Sequence, residues 1–148
     1  MDTMTKRQRS RLMSRIRSKD TTPEMATRSI LRKMGYRYRL HRRDLPGTPD
    51  IAIGRLKAII DVRGCFWHRH KGCRLASEPS TNVKFWTDKF ARNVSRDRRN
   101  TRQWAKLGWK AVVLWECELN DPKSVAKKLK RFLDGREKLH LTFSKKYA

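Results

Sequence analysis

The alternation of hydrophobic and polar positions changes period several times along the chain, and each change marks an element. Residues 5 to 19, TKRQRSRLMSRIRSK, are dense in arginine and lysine, with Leu12, Met13 and Ile16 at helical spacing. A short basic helix or arm is expected there; the alternative is a tail that touches phosphates only when bound. Thr21 and Glu24 make a capping-box pattern with Pro23 in the first turn, which predicts a helix start. Ala26, Ile30 and Met34 then line one face, and Gly35 stops the helix. YRYRL, 36 to 40, alternates like a half-buried strand. LPGTPD, 45 to 50, is turn chemistry leading into a β-hairpin: a strand near 50–53, a turn at Gly54, a strand near 57–62. A long loop follows to about Pro79.

Residues 81 to 107 read as helix with a break. Phe85, Trp86, Phe90 and Val94 carry a first apolar face, Trp104 and Leu107 a second, and Gly108 ends it. WKAVVLW, 109 to 115, is β-prone and predicts a buried strand. Asp121 and Pro122 start a last helix with Val125, Leu129 and Phe132 inward, stopped at Gly135. Neither repeats nor a clear linker interrupt this order, and 148 residues suit one domain. The expected architecture is an α/β or α+β layer fold with a small mixed sheet flanked by helices.

Charge narrows the function. There are 38 Lys+Arg against 14 Asp+Glu, a net +24, with a pI of about 11.1. Such a surplus repels itself unless a polyanion relieves it, so nucleic acid is the expected partner. An anionic membrane is the weaker candidate, and no 18-residue apolar run exists to span one. The basic N-terminus lacks the apolar segment of a secretory signal. Three cysteines make an odd count, which argues against a disulfide framework. A cytosolic thiol protein or a Cys3His metal site fits better.

Two groups of residues carry candidate chemistry. Asp50 opens one strand of the hairpin, and Asp61 and Arg63 stand at i and i+2 on the next, pointing to one face. Carboxylates on neighbouring strands with a cation beside them can hold Mg²⁺ against a scissile phosphate. The same residues could equally be a turn aspartate and a same-face ion pair. The second group is the stretch CFWHRHKGC, 65 to 73. Cys65, Cys73 and one histidine offer zinc-type ligands, and Cys117 could be a fourth. His68 and His70 are interchangeable at this point; whichever does not bind metal is available for acid–base work. Phe66 and Trp67 sit in a polar loop, where rigid aromatics suit insertion between base steps. Trp86 could join them or simply face its helix's core.

The run GTPD, then GCFWHRH, then Phe85-Trp86 with Asn93 and Arg96-Asp97, then LGW and WEC, resembles the very-short-patch repair (Vsr) endonucleases. RLMSRIRSKDTTPE near the N-terminus is similar to that family's opening, so the resemblance covers roughly residues 8 to 119. It implies a restriction-endonuclease-like fold with a structural zinc. It further implies a Mg²⁺-dependent enzyme that nicks double-stranded DNA 5′ to the T of a T:G mismatch left by deamination of 5-methylcytosine. By the same resemblance, Asp50 and the main-chain carbonyl of Val62 bind Mg²⁺, and His68 is the general base. Glu24 holds metal-bound water, and Asp97 orients His68 or lies near the site. The zinc ligands fall on Cys65, His70, Cys73 and Cys117, and the intercalating aromatics on Phe66, Trp67 and Trp86.

Arg63 departs from the pattern: the best-known member has a histidine just before the Gly-Cys. Arginine cannot act as a base but can clamp a phosphate, and a one-residue register difference decides whether Asp61 joins the metal site. The gap from His70 to Cys73 is also one residue longer. The expected organisation is a basic arm at 1–20, a nuclease domain at 21–135 and a tail at 136–148. A monomer in the bacterial cytoplasm, associated with the nucleoid and linked to cytosine-5 methylation and mismatch-repair proteins, completes the expectation. The alternatives are a zinc-stabilised nucleic-acid-binding module without catalysis, and the same nuclease fold with a different DNA target.

Overall fold

The computed structural model describes residues 4–14 and 20–135. Ile16, the side chain of Met13 and the 136–148 tail lie outside the described residues. A basic helix α1, Lys6–Ser14, precedes α2, Thr22–Lys33. Then come β1, Arg39–Leu40, and the hairpin of β2, Ile51–Ile53, and β3, Ala58–Arg63. Helix α3, Val83–Lys106, returns the chain to β4, Lys110–Trp115, and α4, Pro122–Leu133, closes the fold. The sheet order is β1-β2-β3-β4, antiparallel through the hairpin and parallel between β3 and β4, which makes it mixed.

The pleat sorts the side chains into two faces. Ile51, Ile53, Ala58, Ile60, Val112 and Leu114 pack against Leu31 of α2 and Val125, Leu129 and Phe132 of α4. On the other face, Ala52 and Ile59 meet Leu45 and Trp104 of α3. Trp104 buries its ring and donates Nε1–H to the Pro46 carbonyl at 2.6 Å, pinning the turn that leads to Asp50. The hairpin register pairs Ile51 with Ile60. Continued by one residue, it sets Asp50 opposite Asp61, and both fall on the α3 face with Arg63.

Four expectations are corrected. Helix α3 is continuous over 24 residues. The polar stretch after Val94 suggested a break, but Asp97 and Trp104 continue the inward line, and both are buried. In α2 the inward face is Glu24, Thr27, Arg28 and Leu31 rather than Ala26, Ile30 and Met34; Ile30 and Met34 only flank the core. The sequence pattern concealed this because three of the four inward residues are polar. YRYRL yields a strand of two exposed residues, with Tyr36 and Tyr38 packed against the core before it begins. The loop after β3 extends to Asn82 rather than Pro79.

The capping box of α2 is divided. Thr21 accepts from the Glu24 amide at 3.4 Å, whereas the Glu24 carboxylate accepts from the amide of Asp20, one residue upstream of the cap, at 2.7 Å. No helix among the described residues is long and apolar enough to cross a membrane.

Candidate active site

A cleft of about 810 Å³ opens where the hairpin, α3 and the first turn of α2 converge. Glu24, Asp50, Asp61 and Val62 line one wall, and His68 and Asp97 line the other. Gly47 brings the chain in: it has φ +71, and a Cβ there would lie 2.3 Å from the Asn100 side chain of α3. A side chain at 47 would therefore be both strained and in collision.

The Asp50 Oδ2 accepts the Val62 N–H at 3.1 Å. Burial pushes the Asp50 carboxyl up to about 8, helped by the charges of Asp61 and Glu24 and partly offset by that amide. Three acids crowded into a partly desolvated corner repel one another, and a hard divalent cation is the group that relieves such a set. Oxygen donors in an open cleft fit Mg²⁺. The Val62 contact seen here is made by its N–H.

Opposite, Nδ1 of His68 lies 2.7 Å from Oδ2 of Asp97. A carboxylate can only accept, so Nδ1 donates to Asp97 and Nε2 is the ring nitrogen left to face the cleft. Asp97 is buried and the His68 side chain is one-quarter exposed, so one partner is fixed while the other reaches the cleft. Arg63 does not line the cleft. It is 2% exposed, with Nε 2.9 Å from Asp61 Oδ2. A phosphate clamp needs a guanidinium at the surface, and the structure puts this one behind the wall.

The long loop resolves its two histidines by placement. His70 faces the cysteines and His68 faces Asp97. The donor atoms of Cys65, His70, Cys73 and Cys117 all lie within 4.8 Å of one another. Nδ1 of His70 is 3.5 Å from Cys65 Sγ and 3.4 Å from Cys117 Sγ. Tetrahedral bonds of about 2.3 Å to sulfur and about 2.0 Å to nitrogen give a donor–donor edge of roughly 3.5 Å. The donor set and its spacing fit zinc. Burial pushes the Cys65 thiol up to about 12 and raises Cys117, while it lowers His70 and keeps that imidazole neutral. Thiols held protonated by desolvation are what a cation would convert to ligands. The His70 ring stacks on Trp115 at 4.2 Å and 9°.

Between the two sites stands an aromatic cluster. Phe66 contacts Trp67, Trp86 and Phe90 at centroid distances of 5.3, 5.6 and 5.3 Å. Phe66 and Trp67 reach the cleft, whereas Trp86 supports them from α3 and is not on its lining. Phe85 beside it is 55% exposed.

The family model for the DNA mismatch endonuclease Vsr matches residues 1–74 of this chain. A type II nicking enzyme of Xanthomonas oryzae pv. oryzae is 44% identical over 133 residues, which span 90% of this chain and 97% of the relative. The chain belongs to the Vsr DNA mismatch endonuclease family. The Vsr mismatch endonuclease of Escherichia coli is 38% identical over 118 residues, 80% of this chain and 75% of that one. The catalytic domain of a homing endonuclease superposes with a TM-score of 0.56 at 22% identity, covering 80% of this chain and all of that one. It shares the restriction-endonuclease-like fold.

Some residues of this Vsr-family site were given no role in the sequence reading. Lys89, Asn93, Arg96 and Asn100 line the cleft from α3. Their spacing of three and four was the available signal, a polar stripe beside the apolar one. Asn93 donates to the Trp67 carbonyl at 3.0 Å, and Lys89 Nζ lies 5.1 Å from the Trp67 ring centroid. Arg69 bonds the carbonyls of Phe66, Ala76 and Ser77 and lies 4.1 Å from the Phe90 ring centroid. It ties the loop down from within. Asp20, Glu24 and His41 also cluster, but the Arg28 guanidinium already lies among them, 2.7 Å from Asp20 and 3.4 Å from Glu24.

Proposed function

We propose that this chain nicks double-stranded DNA 5′ to the T of a T:G mismatch, with Mg²⁺ as catalytic cofactor and Zn²⁺ as structural one. The observation that carries the reading is one cleft with the Asp50–Asp61–Glu24 wall facing the His68–Asp97 pair, bordered by Phe66 and Trp67. Asp50 and the Val62 carbonyl would hold Mg²⁺, with Glu24 holding water beside it, and the ion would supply charge stabilisation at the phosphate. Asp97 holds the imidazole in one tautomer, and Nε2 of His68 takes a proton from the attacking water. Phe66 and Trp67, supported by Trp86, enter the base stack where a mismatch already weakens it. Cys65, His70, Cys73 and Cys117 hold zinc, which fixes the shape of the loop carrying both wedge and base. Residues 21–135 form the nuclease domain, with the basic arm at 1–20 adding phosphate contacts and 136–148 as a tail. The enzyme acts as a monomer in the cytoplasm, downstream of cytosine-5 methylation.

The test is nicking of duplexes carrying T:G, U:G and matched C:G in several contexts, with and without Mg²⁺. Rapid Mg²⁺-dependent cleavage of T:G and none of C:G supports the reading. Equal cleavage of all three overturns mismatch specificity. Tight binding with no cleavage by zinc-loaded protein leaves a binding module.

A further inference from the structure

Arg63 occupies a position that the nicking chemistry above leaves without a task. We propose that it is a positioning residue whose buried guanidinium ties Asp61 to Asp97 and thereby sets the His68 imidazole against the carboxylate wall. The inference rests on the nuclease reading and assigns this residue's part in it.

The geometry is specific. Arg63 Nε lies 2.9 Å from Asp61 Oδ2 and 4.0 Å from Asp97 Oδ2. That oxygen of Asp97 is the one that accepts Nδ1–H of His68 at 2.7 Å. One carboxylate oxygen therefore faces both the imidazole and the guanidinium. Asp61 belongs to β3 and Asp97 to α3, so Arg63 spans the sheet and helix layers that form the two cleft walls. Its other flank is held as well: the guanidinium carbon is 5.8 Å from the Trp115 ring centroid, and Trp115 stacks on His70.

Physical chemistry explains the choice of residue. The Asp97 side chain is 8% exposed and that of Asp61 16%, so the two carboxylates need a cation between them, and breaking such a pair leaves an uncompensated charge. Arginine presents several donors in a rigid plane and can face two acceptors at once; lysine is a point charge on a flexible stem. At 2% exposure Arg63 has no surface to offer a DNA phosphate.

The test uses full-length, zinc-loaded protein with Arg63→Lys and Arg63→Ala. Two quantities are measured: mismatch-duplex affinity and the single-turnover nicking rate at saturating enzyme. Arg63→Lys is expected to keep its zinc and bind DNA within about twofold of wild type, while nicking slows about 10²-fold, as a misplaced catalytic group does. The His68 Nδ1–H resonance in ¹⁵N-edited NMR should broaden or vanish. Added guanidinium should restore nicking at least about tenfold in Arg63→Ala, by refilling the vacated space. If Arg63→Ala does not fold, Arg63→Lys alone decides. A Lys variant that nicks at the wild-type rate overturns the proposal. So does one whose affinity falls while its saturated rate holds, the signature of a phosphate contact. If wild type itself does not nick T:G, the T:G reading fails first, and the NMR signal still reports whether Arg63 orders His68.

Discussion

The cysteine–histidine cluster and the carboxylate cluster are built from opposite materials and end in opposite states. Four soft donors close on one point, with edges of 3.4 and 3.5 Å about His70 Nδ1. The hard donors of Glu24, Asp50 and Asp61 spread along a wall that opens to solvent. The closed set is suited to hold shape and the open set to accept a substrate, because structural zinc sites saturate their ligands and catalytic sites leave positions vacant. Trp115 and Arg63 lie between them and touch both sides, through His70 and Asp61.

Breaking the closed cluster should have the largest effect. Cys65 is fully buried at its centre. Structural zinc contributes on the order of 10 kcal/mol of apparent binding free energy. Cys65→Ala is expected to lose zinc and to melt about 10 °C or more lower, even if only ~3 kcal/mol of that is realised as global stability. Metal analysis and thermal unfolding check this. Nicking should disappear with it, since the loop bearing Phe66, Trp67 and His68 loses its anchor. A variant that loses zinc yet melts and nicks normally would reduce the cluster to three bystander thiols.

Breaking the open cluster should separate chemistry from shape. Asp50→Asn is nearly isosteric and keeps an acceptor for the Val62 N–H. Its nicking rate is expected to fall by at least about 10³-fold, several kcal/mol of lost transition-state stabilisation. Zinc content and mismatch affinity should stay near wild type. A normal rate on a T:G duplex would remove Asp50 from the site.

The two clusters also differed in how much of them could be read beforehand. The cysteines announce themselves by rarity and spacing, so Cys65, Cys73 and Cys117 were visible as a set. Which histidine joined them was not, because sequence does not say which way two residues of one loop turn. The hairpin, the β4 strand and α4 were legible from period and turn residues. Two of the misread elements, α2 and α3, share a cause. In α2 and α3 the core-facing positions carry Glu24, Thr27, Arg28 and Asp97, and a pattern reader takes polar residues to face water. The Asp50–Asp61 register needed the structure as well, since a slip of one residue would turn every side chain of the strand over.

The test that removes no atom perturbs the site least and sharpens the comparison most finely, because it depends on protons. Burial first, then Asp61 and Glu24, raise Asp50 from its ordinary 3.8 to about 8. The folded, metal-free protein therefore keeps a proton that the unfolded chain releases near pH 4. The stability from that proton is fully present below about pH 4 and is lost as pH rises through about 8. Metal-free protein should thus lose melting temperature across this window, and the Asp50→Asn variant should lose less. Mg²⁺ requires the carboxylate, so binding displaces the proton. Its affinity should climb by up to about tenfold per pH unit below 8 and level off above. Titrating Mg²⁺ against zinc-loaded protein by calorimetry in two buffers of different ionisation enthalpy measures both the affinity and the proton released. The zinc cluster should stay saturated over the neutral-to-alkaline part of that range. A pH-independent Mg²⁺ affinity would mean that Asp50 is already ionised in the cleft and that the crowding of the three acids is relieved some other way.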